Sequence, residues 1–304
     1  MANSIGLAKK YIPLLDEVYK VAAKTSFLDA PEGLTREGMT ANSILIPKIA
    51  MQGLGDYNKA TGYVNGDVTF AWETHTFSQD RGRSFSIDAM DNMETVDTAF
   101  ASVSSQFIRA YVVPEVDAYR FAVMATKAIA ASNTAAADLA ATTGLEAIDV
   151  AIEAMANDEV NTENVIIYVS PTMYTYLKQS DQVTRMIMTN VGSQAGLNRE
   201  IETIGGRPLV IVPQGRFYSA ITQLDGATGG EEAGGYTKTA GAKDINFMIV
   251  DPTAVLGITK TAMPRIFDPE TNQTANAWKF DYRLYHDIFV PDNKVNGIYV
   301  HTKA

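Results

Sequence analysis

The segment "DVTFAWETHTFSQDRGRSFSID", residues 67 to 88, alternates apolar and polar side chains on either side of a charged Asp-Arg-Gly-Arg centre. Side chains repeat every two residues along a strand, so Val68, Phe70 and Trp72 share one face of a first arm, and Phe85 and Ile87 one face of a second. Thr69, Glu73, Ser84, Ser86 and Asp88 fall on the opposite face. Gly82, set among Asp80, Arg81 and Arg83, supplies the backbone freedom that a tight reversal needs. The pattern predicts a hairpin with arms of about ten residues, projecting on the order of 30 Å. A two-stranded hairpin is marginal in water by itself, and no third strand flanks this one in sequence. It must lean on a distant part of the chain or on another molecule.

The neighbouring segments raise the same demand. Residues 25–66 are rich in Gly, Pro and Asn, with one strand-like patch at Ile44 to Ile46. They read as an extended arm, and some thirty loosely structured residues in a compact domain usually mark a partner-bound segment. Ahead of the arm, Leu7, Tyr11, Leu14, Leu15, Val18 and Val21 predict an amphipathic helix over Ile5 to Lys24, with a kink or late start at Pro13. After the hairpin, Asp91 with Glu94 has the form of a capping box, and Val96, Phe100, Val103, Phe107 and Tyr111 form one stripe. This predicts a helix on the order of 50 Å long, kinked near Pro114, whose ring clashes with the carbonyl of Ala110. An average globular helix has only about 11 to 12 residues.

Beyond it the pattern alternates. Thr143 and Glu146 mark a second helix with Leu145, Ile148, Ile152 and Met155 on one face. Strands "VIIYVS", "PLVIVP" and "NFMIVD" follow, with Ser170 and Asp251 placed as N-caps before Pro171 and Pro252. The Gly-rich stretch 223–243 reads as a mobile surface loop, and the tail holds two β-rich runs. The fold class is α+β.

A chain of 304 residues, 46% hydrophobic and 20% charged, can bury a large core. Its net charge of -10 argues against a general binder of nucleic acid or anionic membrane, since both use clustered Lys and Arg. Without cysteine there is no disulfide, thiolate nucleophile or Cys-ligated metal. No signal peptide is expected at the N-terminus, and Arg120, Lys127 and Asp138 break the Ala-rich run from Ala118 to Ala141, so it falls short of the about 20 apolar residues a membrane span needs. The chain therefore reads as soluble, made in the cytoplasm, with no membrane partner.

Motifs for chemistry are few. Tyr174 and Lys178 have the YxxxK spacing of short-chain dehydrogenases, but no Gly-rich nucleotide turn lies between a strand and a helix near the N-terminus. "GLGDYN" at 53–58 lacks the third glycine. His75, His286 and His301 form no close-spaced ligand pattern, and no GxSxG elbow or P-loop is present. No catalytic, cofactor or metal site is expected.

The order of parts, carried by "FSQDRGRSFSID", "VVPEVDAYRFA" and "RIFDPETNQTANAWKFDYRLYHDIFVPDNKVNGIYVHT", resembles the major capsid proteins of tailed bacteriophages with the HK97 fold. The resemblance implies an N-terminal arm at 1–63 and an E-loop hairpin at 64–92 lying across a neighbouring subunit. It further implies a P-domain spine helix at 93–131, an A-domain at 132–254, P-domain return strands at 255–290, and a final strand at 291–304 rejoining the A-domain. The implied function is a head protein assembling as hexamers and pentamers into an icosahedral shell around double-stranded DNA, in a virion assembled in the host cytoplasm. Implied partners are other copies of the chain, a portal and head-completion proteins; because this chain begins almost at the arm, the resemblance also implies either a separate scaffolding protein or a shortened or processed chain. Trp72, Asp80, Arg81, Arg83, Phe85 and Ile87 are the expected inter-subunit contacts. Some family members crosslink an E-loop lysine to a neighbour's asparagine, and the absence of lysine between Lys59 and Lys127 argues against that here. The rival readings are an encapsulin-like nanocompartment, a tail or adaptor protein, and an NAD(P)-dependent enzyme using Tyr174 and Lys178.

Overall fold

The computed structural model describes residues 23–29, 36–37, 42–90, 105–180 and 202–304. The helix expected over Ile5 to Lys24, the capping box at Asp91 and Glu94, and the stripe residues Val96, Phe100 and Val103 lie outside them, save for Ala23 and Lys24, which are not helical.

The most apolar strands organise the larger layer. β6 (Ile166–Val169) and β11 (Ile245–Val250) are buried at every position. Such continuous apolar runs need a sheet covered on both faces. They sit centrally in a six-stranded sheet of order β5-β14-β11-β6-β8-β7, with β5 Thr134–Ala136, β7 Thr203–Ile204, β8 Arg207–Ile211 and β14 Ile298–Thr302. Helix α1 (Val113–Ala130) covers one face through Phe121, Met124, Ala125 and Ala128, against Tyr168, Met248, Val250 and Val300. Helices α2 (Gly144–Asn157) and α3 (Pro171–Gln179) cover the other through Ile148, Met155, Met173 and Leu177, against Ile167, Val169, Phe247 and Ile249.

Local signals act as anticipated at two caps: the Ser170 hydroxyl accepts from Met173 N at 3.2 Å and Asp251 Oδ1 from Thr253 N at 2.9 Å. At α2 the helix begins after Thr143, yet that hydroxyl accepts from Ala140 N at 3.1 Å instead of capping the helix. At Pro114 the chain carries a π turn, Ile108–Val112, in which Val113 N bonds to Ile108 O. This wider step reaches past the bond that Pro114, without an N–H, cannot make.

The second layer is a long three-stranded antiparallel sheet, β12 (Leu256–Phe267), β13 (Ala277–Phe289) and β4 (Gln79–Asp88), in the order β12-β13-β4. Its apolar face packs Phe280, Tyr282 and Leu284 against Ile108, Val112, Val113 and Val116. A third sheet joins β1 (Arg36–Glu37), β2 (Ser43–Met51) and β3 (Val68–Thr76).

The hairpin expected at 67–88 is not formed. β3 and β4 share no hydrogen bonds: β3 pairs with β2, and β4 pairs along its whole length with β13. The chain changes sheets at Phe77 and Ser78, so Asp80-Arg81-Gly82-Arg83 is strand and not turn. Gly82 has a different purpose. A Cβ there would lie 2.9 Å from Tyr282 O, so glycine lets β4 close on β13. The projecting hairpin is instead β2–β3, which recruits residues expected as an extended arm, and its tip is 52–67.

Candidate subunit interface

In the β2–β3 ribbon, Pro47 is opposite Trp72, Ile49 opposite Phe70, and Met51 opposite Val68. Directly paired residues share a face, so these six form one apolar stripe. The stripe is open to solvent: Met51 is 72% exposed, Val68 68%, Phe70 55%, Ile49 54% and Trp72 42%. Phe70 and Trp72 meet edge to face at 5.3 Å. The tip extends the stripe with Leu54, Tyr57, Tyr63 and Val64, all exposed. Contiguous exposed apolar surface of this kind marks an interaction site. In the sheet order β1-β2-β3, β3 is an edge strand, so main-chain groups are also available for pairing.

The base of the ribbon is fixed. Phe77 is buried against Tyr285 and Phe289, together with Ile44 and Ile46. Asp287, also buried, accepts from Ser78 N at 2.8 Å, Ser78 Oγ at 3.0 Å and the Tyr119 hydroxyl at 2.8 Å. Burial, with the Asp287 carboxylate adding to it, pushes the Tyr119 hydroxyl up to about 12. The corner is thus clamped where the stripe begins.

The charged residues of β4 are engaged within the chain. Arg81 donates from Nε to Glu115 Oε1 at 2.6 Å and from Nη2 to the carbonyls of Leu224 and Gly235 at 2.8 and 3.2 Å. Arg83 donates to Glu232 O at 3.0 Å. Asp80 accepts from Arg283 Nε at 2.8 Å, and that hydrogen bond holds its carboxyl below the ordinary range. The stretch expected as a mobile loop is a small hairpin, β9 (Ile221–Gln223) with β10 (Tyr236–Lys238), whose tip rests on these arginines. Its Gly226 and Gly234 have φ of +75° and +66°, and a Cβ on Gly226 would lie 2.9 Å from Arg83 Nη1. Asp225 ties the tip by accepting from Thr228 and Ala227, which lowers its carboxyl to about 2. Phe85 and Ile87 pack inward; Phe85 meets Phe107 edge to face at 4.8 Å. Of the six expected contact residues, Trp72 alone lies on the open stripe.

A polar cluster that sequence reasoning missed ties residues 23–29 to α1. Asp117, fully buried, accepts from Lys24 N, Thr25 N and Thr25 Oγ1, and from Arg216 Nη1 at 3.2 Å. Arg120, also fully buried, donates to Thr25 O at 3.2 Å and pairs with Asp29 at 2.7 Å. Gly257 makes room, since a Cβ there would lie 2.9 Å from Leu28 O. The available signal was an Asp and an Arg three apart inside the apolar run of α1.

Lys178 Nζ lies over the Tyr174 ring, 4.3 Å from its centre, in a cation–π contact. No group of three or more His, Asp or Glu among the described residues could hold a metal ion, and no described helix is long and apolar enough to cross a membrane. With the ribbon at 43–76, Lys59 stands at its exposed tip.

No family model matches the sequence, and no curated protein matches it. Solved structures do. The bacteriophage PhiM1 mature capsid aligns over 87% of this chain and 82% of that one, at 13% identity and a TM-score of 0.61. The chain has the HK97-like capsid fold. A Mycobacterium phage Che8 structure covers 86% of this chain and 85% of its own, at 14% identity and a TM-score of 0.54. A virus-like particle from Pyrococcus furiosus covers 97% and 99%, at 10% identity and a TM-score of 0.54.

Proposed function

We propose that this chain is a phage major capsid protein whose copies form hexamers and pentamers and close into an icosahedral shell around double-stranded DNA. The observation that carries the reading is the exposed stripe on a ribbon clamped at its base, in a chain with a capsid fold. An isolated ribbon with so much apolar surface is stabilised by a cover, and the cover is a second copy. Trp72 and Phe70 are the anchors, because buried aromatics dominate interface energetics. The edge of β3 and the stripe fix the ribbon across the neighbour, and Lys59 at the tip comes close to that neighbour. A net charge of -10 suits a shell that encloses DNA without gripping it. Scaffolding, portal and head-completion proteins complete the head.

A second reading is a shell that encloses protein cargo in place of phage DNA; the chain also aligns over 97% of its length with a virus-like particle from Pyrococcus furiosus. Negative-stain microscopy with light scattering on purified protein, co-expressed with candidate neighbouring genes, tests the assembly. Closed shells, or rings of five and six, are expected. A monomer under every condition would overturn both readings, and nucleic acid against protein inside the shells decides between them.

A further inference from the structure

The sequence contains Asn-Gly twice, at Asn65-Gly66 and Asn296-Gly297, and the fold treats the two differently. We infer that Asn65 is a site of spontaneous deamidation in the unassembled protein and that Asn296 is protected. In this reaction the Gly66 nitrogen gives its proton to base and attacks Asn65 Cγ. The new C–N bond closes a five-membered succinimide as the Cγ–Nδ2 bond breaks and ammonia leaves with a proton. Water then opens the ring at either carbonyl, yielding aspartate or isoaspartate. Nothing is oxidised or reduced, and water is the only co-reactant.

The step needs a backbone able to bring the following nitrogen behind the side-chain carbonyl, and that nitrogen must be uncrowded and not hydrogen-bonded. At the ribbon tip all of this holds. Asn65 and Gly66 are exposed and outside any strand or turn, and among the described residues neither the Asn65 amide nor the Gly66 N–H has a hydrogen-bond partner. A Cβ placed on Gly66 would meet only the Gln52 side chain, at 3.8 Å. At the other pair the same dipeptide is locked. Asn296 Oδ1 accepts from Asn133 Nδ2 at 3.2 Å, and the residue lies in a 3₁₀ turn, Asp292–Gly297. Gly297 is buried, its carbonyl accepts from Asp251 N at 2.8 Å, and a Cβ on it would lie 2.5 Å from Ala254 Cβ. The rotation must wait for local opening of that turn.

Each conversion replaces a neutral amide with a carboxylate beside Asp67, whose N–H is held by Gln52 Oε1 at 3.3 Å. It also lowers the net charge of -10 by one. The tip therefore gains negative charge as the free chain ages.

The test is incubation of the purified unassembled protein in warm, mildly alkaline buffer, with peptide mass spectrometry that separates asparagine, aspartate and isoaspartate at both sites. The Asn65 peptide is expected to convert roughly tenfold or more faster than the Asn296 peptide, because only the latter depends on local opening. In denaturant the two rates converge, and Gly66→Ala slows conversion at Asn65 several-fold. Equal rates in the native protein, or an Asn65 peptide that stays intact while Asn296 converts, would overturn the inference. Neither outcome depends on whether the protein forms shells.

Discussion

Replacing Asp117 by asparagine keeps the side chain's shape and removes its charge. Every group facing that carboxylate is a donor: Lys24 N, Thr25 N, Thr25 Oγ1 and Arg216 Nη1. An amide offers one accepting oxygen and turns its NH₂ toward the remaining donors, so about two hydrogen bonds are lost. Each buried donor left unpaired costs about 1–3 kcal/mol. Breaking a buried charge pair by removing one partner costs about 3–5 kcal/mol, which sets the expected loss for Asp117→Asn. Thr25→Val, which removes a hydroxyl that donates to Asp117 and accepts from Arg120 Nη1 at 3.3 Å, is expected to cost about 1–2 kcal/mol. The assay is urea unfolding of the unassembled chain, with the midpoint and slope fitted separately. A whole domain is worth about 5–15 kcal/mol, so Thr25→Val keeps the test readable if Asp117→Asn fails to fold. A loss under about 1 kcal/mol for Asp117→Asn, at unchanged slope, would refute the reasoning that this cluster ties residues 23–29 to α1.

Trp72→Ala should leave the unfolding of the unassembled chain within about 0.5 kcal/mol, as at an exposed site, yet weaken association by about 2 kcal/mol or more; light scattering against concentration separates the two. Burial, with Arg120 and Arg81 adding to it, pushes the His286 imidazole down to about 3. The unfolded chain takes up that proton near pH 6.5, so the stability is complete above that pH and falls as the pH drops toward 3, by up to roughly 1.4 kcal/mol per unit. His286→Gln should flatten this slope in denaturation curves taken across the range, and an unchanged slope would exonerate His286. Gly82→Ala places a Cβ against Tyr282 O, which should part β4 from β13 and cost about 1–3 kcal/mol; faster amide exchange along residues 79–88 would show it.

The layered part of the molecule was legible because its signals are local. Continuous apolar runs at β6 and β11, and Ser170-Pro171 and Asp251-Pro252 at helix starts, specify their own surroundings. The ribbon was harder, because alternation fixes which side chains share a face but not which strand lies alongside. Val68, Phe70 and Trp72 do share a face, but their partner strand precedes them. Asp80-Arg81-Gly82-Arg83 has turn composition, and its true context is set by β13 and by carbonyls 143 and 154 residues further along the chain. Asp117 and Arg120 were unreadable as a pair for the same reason: their partners at Lys24, Thr25, Asp29 and Arg216 are brought together only by the fold.

The central claim is that the β2–β3 ribbon is covered by another copy of the chain, and cryo-electron microscopy of the assembled protein tests it most directly. The account expects a closed shell in which residues 43–76 of each subunit lie across a neighbour with Phe70 and Trp72 facing it. Particles in which that ribbon folds back onto its own subunit, or stands bare in solvent, would contradict it.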